Sequence, residues 1–374
     1  MKAALVHDWL NGMRGGEKVL ELVCDIFPGA PIHTLFYEPE SVSEKIRKRT
    51  VIPSPLQKFP FTRDSYRMYL PLYPWAIRRF DFPGIDVVFS ISHCAAKGVR
   101  APKGAIHICY CLTPMRYIWD KFHDYFGGKG LLSPTGNIMK ALRKPLQSWD
   151  RATAERVDFF ITTSRYVAER IRKYYGKESE IIPPPVNVDF FQPGSPNSGG
   201  NYGDIKPGGF YLLTSALVPY KRVDLAVEAF RDRPERLIVV GRGPEEKILR
   251  GSRPDNVDFT GWVSDEDLLW LYQNCRAFIF PAEEDFGIAP VEAMACGRPV
   301  IAYGKGGILD TVVENKTGLF FQDQTPASLK SALDRFSPDD FDPEVLRNHA
   351  RRFSGQAFLN KIRLFLRERV GVEC

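Results

Sequence analysis

"AFIFPAEEDFGIAPVEAMACGRPVIAY" occupies residues 277–303. A short apolar run ends at a proline, an acidic loop with a glycine follows, and an apolar stretch of helical length leads to a second short run, "PVIAY". That order is the strand–loop–helix–strand unit of a parallel sheet. Ligands of such sheets lie at the carboxyl ends of the strands. Glu284 falls on the loop and Glu292 in the first turns of the helix, with Gly287 between them. Two carboxylates so placed fit a general acid and base, a clamp for sugar or ribose hydroxyls, or solvated surface charge.

The same rhythm runs outward in both directions. Upstream, "FYLLTSA", "RLIVVG" and "VDFTG" read as strands, and "RVDLAVEAF" and "DEDLLWLYQNC" as helices. Further upstream "KAALVH", "DVVFSIS" and "AIHICYC" read as strands, "GGEKVLELVCDIF" and "RYVAERIRKYY" as helices, and "DRATAERVDFFITTS" as a helix running into a strand. Between the halves, residues 181–209 are rich in Pro, Gly, Ser and Asn and read as a linker or interdomain loop. "SGQAFLNKIRLFLRERV" reads as a terminal helix.

A chain of 374 residues is long for one core, so two domains are expected. With 44% hydrophobic and 26% charged residues the composition is that of a soluble globular protein. A net charge of +6 is too small to call for nucleic acid. No apolar run approaches the roughly 18–20 residues of a membrane helix, and the first apolar stretch soon meets His7 and Asp8, unlike a signal peptide. The seven cysteines are scattered and read as reduced cytosolic thiols. Cys109 and Cys111 share one strand face but lack two further ligands for a metal.

Two motifs read as lookalikes. "SDEDLL" (264–269) contains the Asp-x-Asp of a metal–diphosphate site, but Ser264 as helix cap with acids in the first turn accounts for it. "DFG" (285–287) lacks every companion of the kinase magnesium motif. What remains is a set of loops suited to anions. "GMRGGEKV" places Gly15 and Gly16 between a strand and a helix, where backbone amides attract anions. "VVGRGPEEK" is a second glycine loop carrying Arg242, and "LVPYKRVDLAVEAF" sets Lys221 and Arg222 at a helix entrance. Each alone reads better as a turn or as surface charge.

Taken together, "EDFGIAPVEAMACGRPVIAYGKGG", "VPYKRVDLAVEAF", "GRGPEE", "NVDFTGWVSDEDLLWLY" and "TGLFF" resemble the Glu-x7-Glu signature and following motifs of the retaining family 4 glycosyltransferases. The N-terminal "HDWLNGMRGGEKVLE", "SHCAAKGV", "CYCLTPMRYIWD" and "TTSRYVAERIRKYYGKESEIIPPPVNVDFF" resemble the bacterial mannosyltransferase branch that builds O-antigen and exopolysaccharide units. The resemblance covers nearly the whole chain. It implies a GT-B fold of two doubly wound Rossmann-like domains facing a cleft: residues 1–187 on the acceptor side, 188–353 for the nucleotide sugar, and 354–374 as a helix crossing back.

The resemblance also implies roles. Glu292 holds the ribose hydroxyls and Glu284 the hexose. The Phe286, Gly287, Ile288 and Ala289 backbone lies at the sugar hydroxyls and phosphate. Lys221 neutralises the diphosphate, with Gly15 and Gly16 opposite it. Arg242 and Gly243 lie beside the nucleotide, and the base rests at Gly261, Trp262 and Val263. Arg116, Trp119 and Asp120 lie on the acceptor side. Transfer from GDP-mannose is implied to be retaining and metal-free, with no cofactor, and the acceptor lipid-linked or a saccharide. Alternatives are a UDP-sugar glucosyl- or galactosyltransferase of this fold, or a weakly active sugar-nucleotide-binding partner. A nicotinamide oxidoreductase is excluded because "GMRGGE" and "GRGPEE" both miss the dinucleotide spacing.

Two positions depart from the family pattern: Ala216 replaces an Arg that Arg222 or Arg242 would have to compensate, and Leu112 replaces a His, for which His93 or His107 is the available substitute. Finally, residues 57–80 hold five basic residues, one acid and seven aromatics, a composition suited to an anionic bilayer surface. The resemblance, to enzymes that extend lipid-linked sugars at the cytoplasmic face, implies with it a peripheral position on that face of the plasma membrane.

Overall fold

The computed structural model describes residues 1–120, 122, 134–194 and 205–372. The chain divides into two compact units: Met1–Pro185 with the segment from Phe358 onward, and Val186–Ala357.

The first unit is a parallel seven-stranded sheet: β1 (Ala3–His7), β2 (Ile32–Thr34), β3 (Val51–Pro53), β4 (Val87–Ser92), β5 (Ile106–Cys111), β6 (Phe159–Thr162) and β7 (Ser179–Ile181), in the order β3-β2-β1-β4-β5-β6-β7. Strands β1 and β4 are buried along their whole length, which is why they read as unbroken apolar runs and not as alternating ones. Helix α1 (Gly15–Ile26) lays Val19, Leu20, Val23 and Ile26 on the sheet. Helices α2 (Pro134–Ala154) and α3 (Arg165–Tyr175) follow β5 and β6. The terminal helix, Gly355–Phe365, buries Phe358, Ile362 and Phe365. Phe358 packs edge-on against Tyr110 at 5.8 Å and Phe365 against Phe159 at 5.9 Å, both in the first unit.

The second unit is a parallel six-stranded sheet: β8 (Phe210–Thr214), β9 (Arg236–Val240), β10 (Val257–Gly261), β11 (Phe278–Phe280), β12 (Val300–Tyr303) and β13 (Gly318–Phe321), ordered β10-β9-β8-β11-β12-β13. Its helices include α4 (Val223–Ala229), α5 (Asp265–Asn274) and α6 (Ile288–Ala295). Ser264 caps α5, its Oγ accepting the Asp267 N–H at 3.1 Å, so the Asp-x-Asp acids do sit in a helix's first turn.

In each sheet the first strand is internal and the fourth crosses to its other side, which puts topological switch points between β1 and β4 and between β8 and β11. The linker reading of 181–209 needs correction at its start. The Val186 N–H donates to the Phe353 carbonyl at 2.8 Å, and Val186, Val188 and Phe191 join the core of the second unit. The apolar side chains set among the prolines bury, so this part of the stretch packs as structure.

Candidate active site

The loops after β8 and β11 flank the switch point of the second sheet. The first closes with a short turn, Pro219–Lys221, and the left-handed Arg222 (φ 53°). The second carries Glu284. The Lys221 ammonium donates to Glu284 Oε1, and both side chains are largely buried. Two glycines after β12 hold the Glu284 loop. The Gly307 N–H donates to the Glu284 carbonyl at 2.7 Å. A Cβ on Gly306 would stand 2.6 Å from that carbonyl oxygen, and one on Gly307 would stand 2.1 Å from the Asp285 carbonyl oxygen. No larger residue fits either position. Gly287, at φ 94°, then turns the chain into α6, which opens without a side-chain cap.

Glu292 is held from α5. The Tyr272 hydroxyl donates to Glu292 Oε2 at 2.9 Å and lies 3.1 Å from Thr214 Oγ1 at the end of β8. Burial, reinforced by the charge of Glu292, lifts the Tyr272 phenol well above its ordinary pKa. It stays protonated as a donor and fixes the carboxylate in place.

The loops after β8 and β9 are knitted backbone to backbone. The Leu217 N–H donates to the Arg242 carbonyl at 3.0 Å, and the Leu217 carbonyl accepts from Glu245 at 3.1 Å. A Cβ would stand 1.9 Å from the Ser215 carbonyl oxygen if placed on Gly241, and 2.3 Å from that of Leu217 if placed on Gly243. The close approach requires glycine at both positions. Arg242 is exposed, its Nε 3.4 Å from where a Gly261 Cβ would be, and Trp262 beyond it is 74% exposed. Arg222 is engaged with Asp224 at 3.1 Å, and Ala216 is exposed. The structure thus places Lys221, Arg242, Gly243, Gly261, Trp262, Val263, Glu284, Gly287 and Glu292 at or after the carboxyl ends of one sheet's strands or in the helix that follows. A flat, exposed aromatic ring there suits a base, fixed carboxylates suit hydroxyls, and a cation with uncapped helix amides suits phosphate.

In the first unit, Gly15 and Gly16 open α1. A Cβ on Gly16 would be 2.9 Å from Leu112 Cδ1 and 3.1 Å from His7 Nε2. Sequence reasoning passed over Asp8. Fully buried after β1, its carboxylate accepts the N–H groups of His93, Cys94, Ala95 and Ala96 at 2.6, 2.9, 2.5 and 2.7 Å, across the switch point to the turn after β4. Burial alone would raise its pKa. The nearby His93 ring and the donated hydrogen bonds outweigh burial and hold it at about 2. The only sequence signal was an acid closing an apolar strand, "LVHD".

The residues that the resemblance assigns to the acceptor side are tied inward. Trp119 Nε1 donates to Asp150 Oδ2 at 2.7 Å and its ring stacks on Tyr174 at 4.5 Å. Asp150 itself is buried, pairing with the buried Lys97 at 2.6 Å and accepting from Tyr175 at 2.8 Å. Asp120 accepts from Arg170 Nε at 2.7 Å and from the Tyr174 hydroxyl. Arg116 is half-buried on the same segment. Of the two candidate histidines, His107 is buried against Ser90 Oγ at 2.9 Å, while His93 keeps its side chain 24% exposed. Among the described residues no three His, Cys, Asp or Glu side chains group as metal ligands would.

Two family models match in sequence order: Glycosyltransferase Family 4 over residues 25–190, and Glycosyl transferases group 1 over residues 205–353. The chain is 28% identical over 340 residues to a D-inositol 3-phosphate glycosyltransferase of Acidothermus cellulolyticus, covering 82% of this chain and 72% of the relative. It is 30% identical over 207 residues to the GDP-mannose-dependent monoacylated alpha-(1-6)-phosphatidylinositol monomannoside mannosyltransferase of Corynebacterium glutamicum, covering 49% and 54%. Several further curated relatives are likewise spanned over about half their length. In fold it matches the sucrose-phosphate synthase of Thermosynechococcus elongatus with a TM-score of 0.70 at 20% identity, over 99% of this chain and 100% of that one.

Proposed function

The chain belongs to the GT-B-fold glycosyltransferases of the superfamily those two models describe, and on that premise we propose that it transfers mannose from GDP-mannose to a lipid-linked or saccharide acceptor with retention. The observation that carries the reading is the Lys221–Glu284 ion pair at the switch point, one helix turn and loop away from the Tyr272-anchored Glu292. In this reading Glu292 takes the ribose, Glu284 the hexose, and Trp262 the base. Lys221, with the uncapped amides of α6, takes the diphosphate. The name of the Corynebacterium relative supports GDP-mannose as donor.

The bond from the anomeric carbon to the diphosphate breaks while a bond to the acceptor hydroxyl forms on the same face, and the hydroxyl proton passes to the departing phosphate. A nucleotide diphosphate leaves without a strong acid. The protein's task is to stabilise the charge that grows on it, which Lys221 and helix amides do without reorganisation. Acceptor-dependent nucleotide release across GDP-mannose, UDP-glucose and UDP-galactose tests the donor, and release from a UDP-sugar alone would overturn it. Proton NMR of the new anomeric centre tests retention.

The acceptor reading extends to an anionic membrane on the cytoplasmic side. Short helical turns between Pro55 and Ile77 bury Tyr66, Leu70, Tyr73 and Ile77. They leave Phe61, Met68 and Trp75 exposed at 79%, 68% and 41%, among basic side chains. Apolar tips among cations suit an acidic bilayer. Among the described residues no helix is long and apolar enough to cross a membrane. Flotation with phosphatidylglycerol vesicles is the measurement. No binding at low salt would remove this part of the reading.

A further inference from the structure

The amino edge of the first sheet, opposite the carboxyl ends of its strands, holds a group of arginines without counter-charge. Strand β5 begins at Ile106 and β6 at Phe159. Just before them, Arg100, Ala101, Pro102, Ala105, Arg156 and Asp158 line a cavity of about 450 Å³. The two strand openings are tied together. The Asp158 N–H donates to the His107 carbonyl at 2.9 Å, and Asp158 Oδ2 accepts the His107 N–H at 2.7 Å. The wall of the cavity is thus fixed by hydrogen bonds between the two segments that form it.

Arg156 stands half-buried between the end of α2 and β6. Its Nη1 is sealed from water and has no hydrogen-bond partner. Burial lowers its pKa, and the charges of Arg100 and Arg78 lower it further, so the three guanidinium groups lie within electrostatic reach of one another. Among the described residues none of the three forms an ion pair or a side-chain hydrogen bond. Asp158, the acid in the cavity wall, gives its Oδ2 to backbone and pairs with neither arginine. Elsewhere enclosed arginines meet carboxylates: Arg170 meets Asp120 at 2.7 Å, and Arg233 meets Glu235 at 3.1 Å and Asp334 at 2.6 Å. Like charges gathered without a counter-charge repel, and a sealed donor without an acceptor is costly. An anion that accepts from several guanidinium groups removes both penalties. Guanidinium forks match phosphate oxygens, and a space of this size admits a phosphate together with the group that carries it.

We propose that this cavity binds a phosphate monoester through Arg100 and Arg156, with Arg78 supplying further positive charge. The dianionic phosphate is what the arginines recognise, whether it belongs to a free phosphorylated small molecule or to a lipid headgroup such as that of phosphatidic acid. Every residue of the site belongs to the first unit and lies at the edge of the sheet away from its switch point, so the inference stands apart from the donor assignments.

The test has two arms on the full chain at fixed ionic strength, with thermal melting as the folding check. One is calorimetric titration with glycerol phosphate, with excess GDP present. The other is flotation with phosphatidylcholine vesicles carrying phosphatidic acid, against vesicles carrying phosphatidylglycerol at matched charge, whose phosphate is a diester. Arg156→Gln and Arg100→Gln should each weaken binding of the monoester about tenfold or more, the scale of one charge-assisted hydrogen bond. Arg156→Lys, which keeps the charge, should lose less. Arg100 is exposed, so Arg100→Gln decides the matter if Arg156→Gln fails to fold. Arginine-dependent binding of glycerol phosphate assigns a free ligand, and arginine-dependent flotation alone assigns the lipid headgroup. Binding of neither probe by wild type, binding that both Gln variants retain, or flotation alone that phosphatidylglycerol supports equally, overturns the inference. Failure of wild type to bind GDP would count against the donor reading and leave this site as it is.

Discussion

Lys221 and Glu284 close an ion pair between loops that follow β8 and β11, the two adjacent strands that diverge at the second sheet's switch point. Each neutralises the other in the free protein. In the proposed roles, a diphosphate that drew Lys221 away would free a carboxylate beside it, and binding of phosphate and of sugar hydroxyls would become parts of one event.

Removing the cation should therefore cost more in turnover than in nucleotide affinity. Lys221→Ala is expected to lower kcat by about 10²-fold or more, the scale of one lost transition-state contact. Lys221→Arg should retain part of it. Circular dichroism must show the fold intact, and near-wild-type turnover in a folded Lys221→Ala protein would refute the assignment.

Glu292 should be read through the ribose. Wild type is expected to prefer GDP over 2′-deoxy-GDP by about tenfold, and Glu292→Ala should bind both alike, since a lost hydroxyl no longer matters when its partner is gone. Tyr272→Phe, which removes the hydrogen bond at 2.9 Å that holds the carboxylate, should fall between the two. Persisting preference in Glu292→Ala would place the ribose elsewhere.

Much of this was legible in the residues. Strands β1, β4, β5 and β6 of the first sheet and β8, β9, β11 and β12 of the second read correctly because strands buried on both faces are unbroken apolar runs, and the cap at Ser264 read correctly because capping is local. The three-residue strands β2, β3 and β7 were missed, being too short to show a period. Asp8, Tyr272 and Lys97 were missed for another reason: each acts through partners 85, 20 and 53 positions away, and no local pattern marks such a pair.

The glycines after β12 and β9 make a sharper structural test than the carboxylates. At Gly307 a methyl would stand 2.1 Å from the Asp285 carbonyl oxygen, and at Gly241 it would stand 1.9 Å from that of Ser215 with φ at 134°. Backbone must move in both. Gly307→Ala is expected to displace the Glu284 loop and abolish sugar-nucleotide binding, and Gly241→Ala to destabilise the second unit by about 2 kcal/mol or more. Gly251, whose Cβ would meet nothing, serves as control, and Gly251→Ala should leave melting and binding unchanged.

Acid should unfold the protein in two stages. Burial lowers the pKa values of His7, His33, His107 and His349, that of His107 to about 4. The unfolded chain protonates these rings near 6.5 while the folded one resists, so stability falls as pH drops from 6.5, and the loss from His107 is complete near 4 at about 3 kcal/mol. Asp8 adds a second loss in the same direction, over a lower pH range. Its folded pKa of about 2 lies below the ordinary 3.8, so its contribution is full above that value and disappears as pH falls toward 2. Melting temperatures at constant ionic strength should decline between pH 6.5 and 4 and again below 4. His107→Asn should shrink the first decline only, and Asp8→Asn the second only. A melting temperature flat from pH 6.5 to 4 would show that the buried rings are not held neutral by the fold.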